Sequence, residues 1–308
     1  MRFAVETWAP EYGAPVDETF LQPTEGEVDT DAEVALVDWA PVTPATGPAA
    51  SVAFVDGVRR VDARLWLKSP TTRPGLCASY AAGVVRCDGA ARIDRVEVRR
   101  VLVCRAEGTG PITTRYGEYE LHAVGDDAPD ALVQTVQTQM RMLEGTVARS
   151  ATDVEVVIVD GPLTYHRELD GAVGYVKTHH VAYLPPAAAA VVERLEPGQR
   201  TPVVVTQEGW ARYLWYVRLP CAVEHGWAGI IRCEVAANRP VTEAAALADR
   251  VAVTVARFAS VPHKDPRAPQ NLYPIAALER RLRRRLGDPA LVYRALRSAA
   301  AVASAPAT

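Results

Sequence analysis

The stretch from Met140 to Leu163 decides the fold: it reads Met-Arg-Met-Leu-Glu at 140–144 and Val-Glu-Val-Val-Ile-Val-Asp-Gly-Pro-Leu at 154–163. Between residues 132 and 147, apolar residues recur at helical spacing, which predicts a helix with one buried face. They are Leu132, Val133, Val136, Met140, Leu143 and Val147. Glu144 lies at the edge of that face, where a carboxylate needs a partner. The β-branched run that follows predicts a buried strand ending at Asp160. The helix therefore contributes Glu144 and the strand contributes Asp160 to what could be a single point.

The chain before this helix has the patterns of several strands. Residues 51–57 predict a strand that ends in Asp56-Gly57, and residues 58–68 predict its hairpin partner. Further strands are predicted at 79–86, 96–104 and 113–124. The order strand, strand, further strands, helix, strand matches the first half of an RNase H-like α/β domain, a mixed sheet flanked by helices. Parallel strands joined by a helical crossover have their carboxyl ends at one edge, where open α/β sheets bind ligands.

Asp56, Glu144 and Asp160 are therefore candidate metal ligands. Three carboxylates at one point would repel one another unless cations neutralise them. Mg²⁺ and Mn²⁺ prefer oxygen ligands and retain positions for water and phosphate. Two such ions, roughly 3.5–4 Å apart, activate water and stabilise the leaving oxygen in phosphodiester hydrolysis. The structural alternative is ordinary turn chemistry, because Asp-Gly commonly follows a strand.

Composition limits the classes of protein to which the chain could belong. With 308 residues, 49% of them hydrophobic, the chain can bury a sizeable core. A net charge of −3 excludes a globally basic nucleic-acid coat but permits a local basic groove. Five cysteines without a CxxC pair predict neither a disulfide framework nor a zinc ribbon, and favour the reducing cytoplasm. The sequence contains no signal segment or bilayer-spanning run, so no membrane association is expected.

We divide the chain into three predicted regions, the first of which is distinguished by its charge. Residues 1–50 contain ten acidic residues against Arg2 alone, and we interpret them as an extended acidic arm that lies across a partner subunit or remains a solvated tail. Residues 51–286 form the predicted RNase H-like domain, and 287–308 a C-terminal helix and tail. Further helices are predicted at 240–260, 274–286 and 288–303. The second of these has five arginines that could contact DNA phosphate or pair with the acidic arm; they are Arg280, Arg281, Arg283, Arg284 and Arg285.

Other side chains have both a functional and a structural interpretation. Lys177 follows a predicted strand at 172–176, so it could contact the scissile phosphate or merely aid solubility. His179 and His180 are adjacent and cannot readily bind one ion together, which favours a loop. Several aromatic residues on paired strands could stack on nucleic-acid bases, although a place in the core or in a dimer interface is the favoured interpretation. These residues are Trp210, Tyr213, Trp215, Tyr216 and Trp227.

Several of these segments together resemble the NurA nuclease family, the partner of the HerA-type hexameric DNA translocase. They are Phe54–Gly57, Arg141–Glu144, Val157–Leu163, Gly174–Lys177, Trp215–Leu219, Gly229–Glu234 and Pro269–Ile275. The resemblance implies an RNase H-like fold, a homodimer, and Mn²⁺- or Mg²⁺-dependent DNA cleavage as a 5′–3′ exonuclease and single-strand endonuclease. It also implies a role with the ATPase in DNA end resection or repair. The family's acidic residues correspond to Asp56, Glu144 and Asp160.

The chain departs from the family pattern at two positions. Val58 replaces the usual serine after the first Asp-Gly, and Arg281 replaces a histidine beyond the Tyr-Pro motif. Whether Arg281, His263 or Tyr273 contributes to the site stays open. The chain has no phosphate-cradling GxxxxGK[ST] loop, so ATP-driven motion would come from a partner. The alternatives are a non-catalytic RNase H-like adaptor that docks on the ATPase, and a metal-independent hydrolase that uses paired carboxylates.

Overall fold

The computed structural model describes residues 22–68, 72–106, 109–151, 153–169 and 171–303, which form a mixed α/β structure. In chain order the strands are β1 (Gln22–Pro23), β2 (Val28–Asp29), β3 (Val52–Leu67), β4 (Arg73–Cys87), β5 (Ala91–Cys104), β6 (Ile112–Thr114), β7 (Gly117–Ala123), β8 (Val156–Asp160), β9 (Ala172–Val176), β10 (Val181–Ala182), β11 (Val204–Thr206), β12 (Arg212–Arg218) and β13 (Ile230–Ala236). The helices are α1 (Pro129–Ala148), α2 (Pro186–Glu193), α3 (Val241–Phe258), α4 (Tyr273–Arg285) and α5 (Pro289–Ala303). None of these described helices combines the length and apolarity needed to cross a membrane.

The chain divides into two compact units. Among the described residues, the first comprises 22–54, Arg86–Arg92 and 151–276, and the second comprises Val55–Val85, Ile93–Ser150 and 277–303. In the first unit, neighbouring strands follow the order β2, β11, β12, β13, β9, β8. Strands β8 and β9 are parallel, whereas β13 is antiparallel to both β9 and β12. This mixed sheet places Asp160, at the end of β8, level with Tyr175 of β9.

The described part of the acidic segment, residues 22–50, packs within the first unit. Trp39 is 7% exposed and belongs to a hydrophobic cluster that includes residues of α2, β11 and β12. The buried Arg200 donates hydrogen bonds to both carboxylate oxygens of Glu33 at 2.9 Å and to Asp249 Oδ1 at 2.6 Å. These contacts fold residues 22–50 onto their own unit. Residues 1–21 of the predicted arm lie outside the described residues.

The second unit contains a further set of neighbouring strands in the order β3, β4, β5, β7, β6. Strands β5 and β7 are parallel, and β6 is antiparallel to β7. Helix α5 packs against β6. It contributes to a core whose buried members are Ala63, Cys77, Leu102, Cys104, Tyr119, Val292 and Leu296. The second unit therefore has a core of its own.

The predicted hairpin at Asp56-Gly57 is wrong, because β3 runs without interruption from Val52 to Leu67. Its neighbour in the second unit is β4. The predicted strand at 113–124 is two strands, β6 and β7, and β7 begins at Gly117 with a φ of 121°. The strand at 172–176 is confirmed at its predicted bounds. The helices around Glu144 and in the C-terminal third are confirmed as well, and the ends of the C-terminal ones shift by one or two residues. The specifically RNase H-like character stays a prediction.

Candidate functional site

Asp160 and Lys177 form an ion pair at the carboxyl ends of two parallel strands of the first unit. Asp160 is the last residue of β8, and Lys177 directly follows β9. Lys177 Nζ donates hydrogen bonds to Asp160 Oδ2 at 2.6 Å and to Asn271 Oδ1 at 3.2 Å. The Lys177 and Asp160 side chains are only 12% and 15% exposed. Two of the four predicted site residues are therefore in contact, in a setting where water and salt screen charges less than at the surface.

The other carboxylate oxygen of Asp160 is suited to serve as a ligand of a metal cation. Asp160 Oδ1 is buried, and it accepts no hydrogen bond from any of the described residues. A buried oxygen without a donor is unfavourable, whereas a carboxylate oxygen is a preferred ligand of Mg²⁺ and Mn²⁺. The residues present at this position therefore fit a divalent metal ion, with Lys177 as the cation already beside it.

Asn271 and Asp265 hold Lys177 in place, although neither was predicted from the sequence. Asn271 is completely buried, and its Nδ2 donates a hydrogen bond to Asp265 Oδ2 at 2.8 Å. This bond fixes the amide so that its oxygen faces Lys177. The result is a chain of contacts from the buried Asp265 and Asn271 through Lys177 to Asp160, the last two of which are partly exposed. The sequence signal for Asn271 is the polar pair Gln270-Asn271, which stands among mostly apolar residues in the segment 268–276.

Asp56 and Glu144 belong to the second unit, where they lie on β3 and α1. Their relative exposures are 7% and 1%. The backbone N–H of Gly57 donates a hydrogen bond to Asp56 Oδ1 at 2.8 Å. A Cβ atom at position 57 would lie only 2.5 Å from Glu144 Oε1 and 3.0 Å from Met140 Cγ. The Glu144 carboxylate therefore packs directly against the residue that follows Asp56, and Arg141 Nη1 lies 4.0 Å from Glu144 Oε2.

Replacing Gly57 with alanine should displace Glu144. The carboxylate is buried, so it cannot move aside without disturbing its neighbours, and overpacking of this kind costs about 1–3 kcal/mol. We expect a lower melting temperature and weaker Mn²⁺-dependent DNA cleavage. Gly125→Ala is the matched control, because a Cβ there meets nothing within 4 Å. Equal melting and cleavage in Gly57→Ala and the parent would show that Glu144 does not need this space.

The complete predicted metal site draws its acids from both units. Among the described residues, no group of three or more His, Cys, Asp or Glu side chains could hold a metal ion together. The shared site of Asp56, Glu144 and Asp160 therefore stays a prediction.

His179 is a core residue, whereas the adjacent His180 is exposed. The His179 ring lies 5.7 Å from the Tyr216 ring and 5.4 Å from the Trp227 ring, measured between centroids. Burial, reinforced by the positive charge of Arg232, lowers the pKa of His179 to about 3. The two histidines thus occupy different environments, and His179 is neutral at pH 7.

This lowered pKa predicts a loss of stability in acid. Because the folded-state pKa of His179 lies below the ordinary value of 6.5, the unfolded chain binds the additional proton between these two values. The contribution of His179 to the free energy of unfolding should therefore fall by about 2 kcal/mol from pH 7 to pH 5. Urea denaturation at both pH values would measure it, with His179→Phe lacking this part of the decrease. An equal decrease in parent and variant would contradict the prediction.

The remaining candidates divide into core and surface residues. Trp215 and Tyr216 are 0% and 2% exposed, which confirms the core interpretation for these two aromatics. His263 and Tyr273 are exposed. The five predicted arginines of α4 are exposed as well, and Arg283 pairs with Glu279 at 2.7 Å.

Comparison with known families agrees with the resemblance noted in the sequence. The family model described as the NurA domain matches residues 72–284. The matched range contains Glu144, Asp160, Lys177 and Asn271, and begins after Asp56. A search of curated proteins gives no match. Because the family model spans well over half of the sequence, this chain belongs to the NurA nuclease family.

Proposed function

We propose that this protein is a metal-dependent DNA nuclease that hydrolyses phosphodiester bonds with two divalent ions held by Asp56, Glu144 and Asp160. The observation that carries the proposal is the carboxylate of Asp160: one oxygen is bound to Lys177, and the other is buried without a donor among the described residues. Membership of a nuclease family supports DNA as the substrate class. When bound, Mn²⁺ or Mg²⁺ supplies Lewis acidity and lowers the pKa of coordinated water.

Lys177 has two roles in this proposal. Without substrate its ammonium group neutralises Asp160, and Asn271 provides a second acceptor that keeps the side chain near the strand ends. With DNA bound, the ammonium donates hydrogen bonds to the oxygens of the scissile phosphate. A cation positioned in advance and partly shielded from water stabilises developing negative charge more effectively than one in bulk solvent.

The proposal extends to the assembly. We infer an RNase H-like nuclease that works as a homodimer with a HerA-type hexameric ATPase in DNA end resection or repair, as a 5′–3′ exonuclease and single-strand endonuclease. The family supports this inference. The lack of a phosphate-binding GxxxxGK[ST] sequence is consistent with a partner that supplies ATP hydrolysis.

Incubation of the purified protein with end-labelled single- and double-stranded DNA tests the proposal. We expect degradation with Mn²⁺ or Mg²⁺ and none in excess EDTA. Degradation that persists in EDTA would indicate a metal-independent hydrolase instead. If the folded protein binds the ATPase but degrades neither single- nor double-stranded DNA under any of these conditions, it is the non-catalytic adaptor. The proposed nuclease activity would then be wrong.

A further inference from the structure

Glu234 is a buried acid in the first unit that has no role in the proposed chemistry. It lies within β13, opposite Gly174 of β9 and Leu214 of β12, and is 1% exposed. A Cβ at position 174 would lie 2.8 Å from Glu234 Cγ. Glycine at 174 therefore opens the space through which the Glu234 side chain crosses the neighbouring strand.

The Glu234 carboxylate holds the backbone that follows Asp160. Leu163 donates its N–H to Glu234 Oε1 at 2.6 Å. Leu163 begins a short 3-10 turn, and Pro162 before it makes no side-chain capping bond. Glu234 supplies the missing acceptor from a strand 71 residues away in sequence. A charged acceptor makes this hydrogen bond stronger than one between neutral groups.

Two arginines make the burial of this carboxylate tolerable. Arg212 Nε and Arg232 Nη2 lie 3.5 Å and 3.7 Å from Glu234 Oε2. Both guanidinium groups also lie over the ring of Tyr183, and Arg212 Nη2 donates a hydrogen bond to the Tyr183 hydroxyl at 2.9 Å. One oxygen of Glu234 thus faces cations, while the other is reserved for Leu163.

We propose that Glu234 is a positioning residue, which anchors the turn at 161–163 and so holds Asp160 in the orientation that a divalent cation requires. This inference rests on the proposed function, because it assigns Glu234 to the support of a metal ligand. Groups that orient a ligand commonly change metal affinity about 10–100-fold when removed. Glu234 itself contacts neither metal nor DNA in this account.

The test compares Glu234→Ala, Glu234→Gln and a control, Glu208→Gln. Glu208 lies 3.8 Å from Arg212, so its variant alters the same cation without touching the turn. Hydrogen–deuterium exchange of the Leu163 amide is measured without metal, and Mn²⁺ affinity is measured by calorimetry without DNA. We expect faster exchange and about 10-fold weaker Mn²⁺ binding in Glu234→Ala. Glu234→Gln keeps an acceptor oxygen and should protect Leu163, and Glu208→Gln should match the parent.

Parental exchange and Mn²⁺ affinity in a folded Glu234→Ala variant would overturn the proposal. If that variant does not fold, the isosteric Glu234→Gln decides: weakened Mn²⁺ binding despite a protected Leu163 would show that charge rather than anchoring matters. If the parent itself binds no Mn²⁺, the proposed nuclease function fails. The exchange measurement then still tests the anchor alone, since it needs no metal.

Discussion

Replacing Asp160 with asparagine should reduce Mn²⁺-dependent DNA cleavage by more than about 100-fold, because removal of groups that merely orient a metal ligand already costs about 10–100-fold. Asparagine preserves the shape of the side chain but removes its negative charge. It also removes the ion pair with Lys177, whose Nζ lies 2.6 Å from Asp160 Oδ2. Initial rates on end-labelled DNA at saturating Mn²⁺ measure the loss, and circular dichroism verifies folding.

Glu168→Gln is a suitable control for this variant, because it neutralises an exposed acid of the same unit. Its cleavage rate should equal that of the parent. A parental rate in Asp160→Asn as well would remove Asp160 from the reaction and with it the observation on which the proposed function rests.

Replacing Lys177 with methionine should separate cleavage from metal binding. Loss of a preorganised donor to a reacting phosphate typically lowers turnover by about 10²–10³-fold, so cleavage should fall in that range. Mn²⁺ binding without DNA should become tighter, since no ammonium group then competes for Asp160 Oδ2 or repels the incoming cation. Calorimetry on the free protein and single-turnover cleavage measure the two effects.

Asn271→Leu provides the graded comparison for Lys177→Met. It removes the second acceptor of the ammonium group, at 3.2 Å, but leaves the charge in place. Cleavage should fall less than in Lys177→Met. Weaker Mn²⁺ binding in Lys177→Met would contradict the account, because it would mean that Lys177 organises Asp160 for the metal rather than competing with it.

The elements that position Glu144 and Lys177 could be predicted because their patterns are local. The helical spacing of Leu132, Met140 and Val147 follows directly from their burial on one face of α1. Strand β9 was predicted at its observed bounds, since a short apolar run there lies between glycine and lysine.

The unpredicted features depend on contacts that no local pattern contains. Asp56-Gly57 has the composition of a turn, yet both residues lie within β3. The glycine there leaves room for the Glu144 side chain, which fills the space that a Cβ would occupy. Asn271 meets Lys177 across 94 residues, and Glu234 meets Leu163 across 71. A buried polar residue can be suspected from sequence, but its partner is fixed only by the fold.

Mn²⁺ titration followed by electron paramagnetic resonance, on the parent and on Asp56→Ala, Glu144→Ala and Asp160→Ala, tests the central claim most directly. The account predicts saturable Mn²⁺ binding by the parent that is weakened in each of the three folded variants, because each loses a negatively charged oxygen ligand. Binding by all three variants that is indistinguishable from the parent would contradict it.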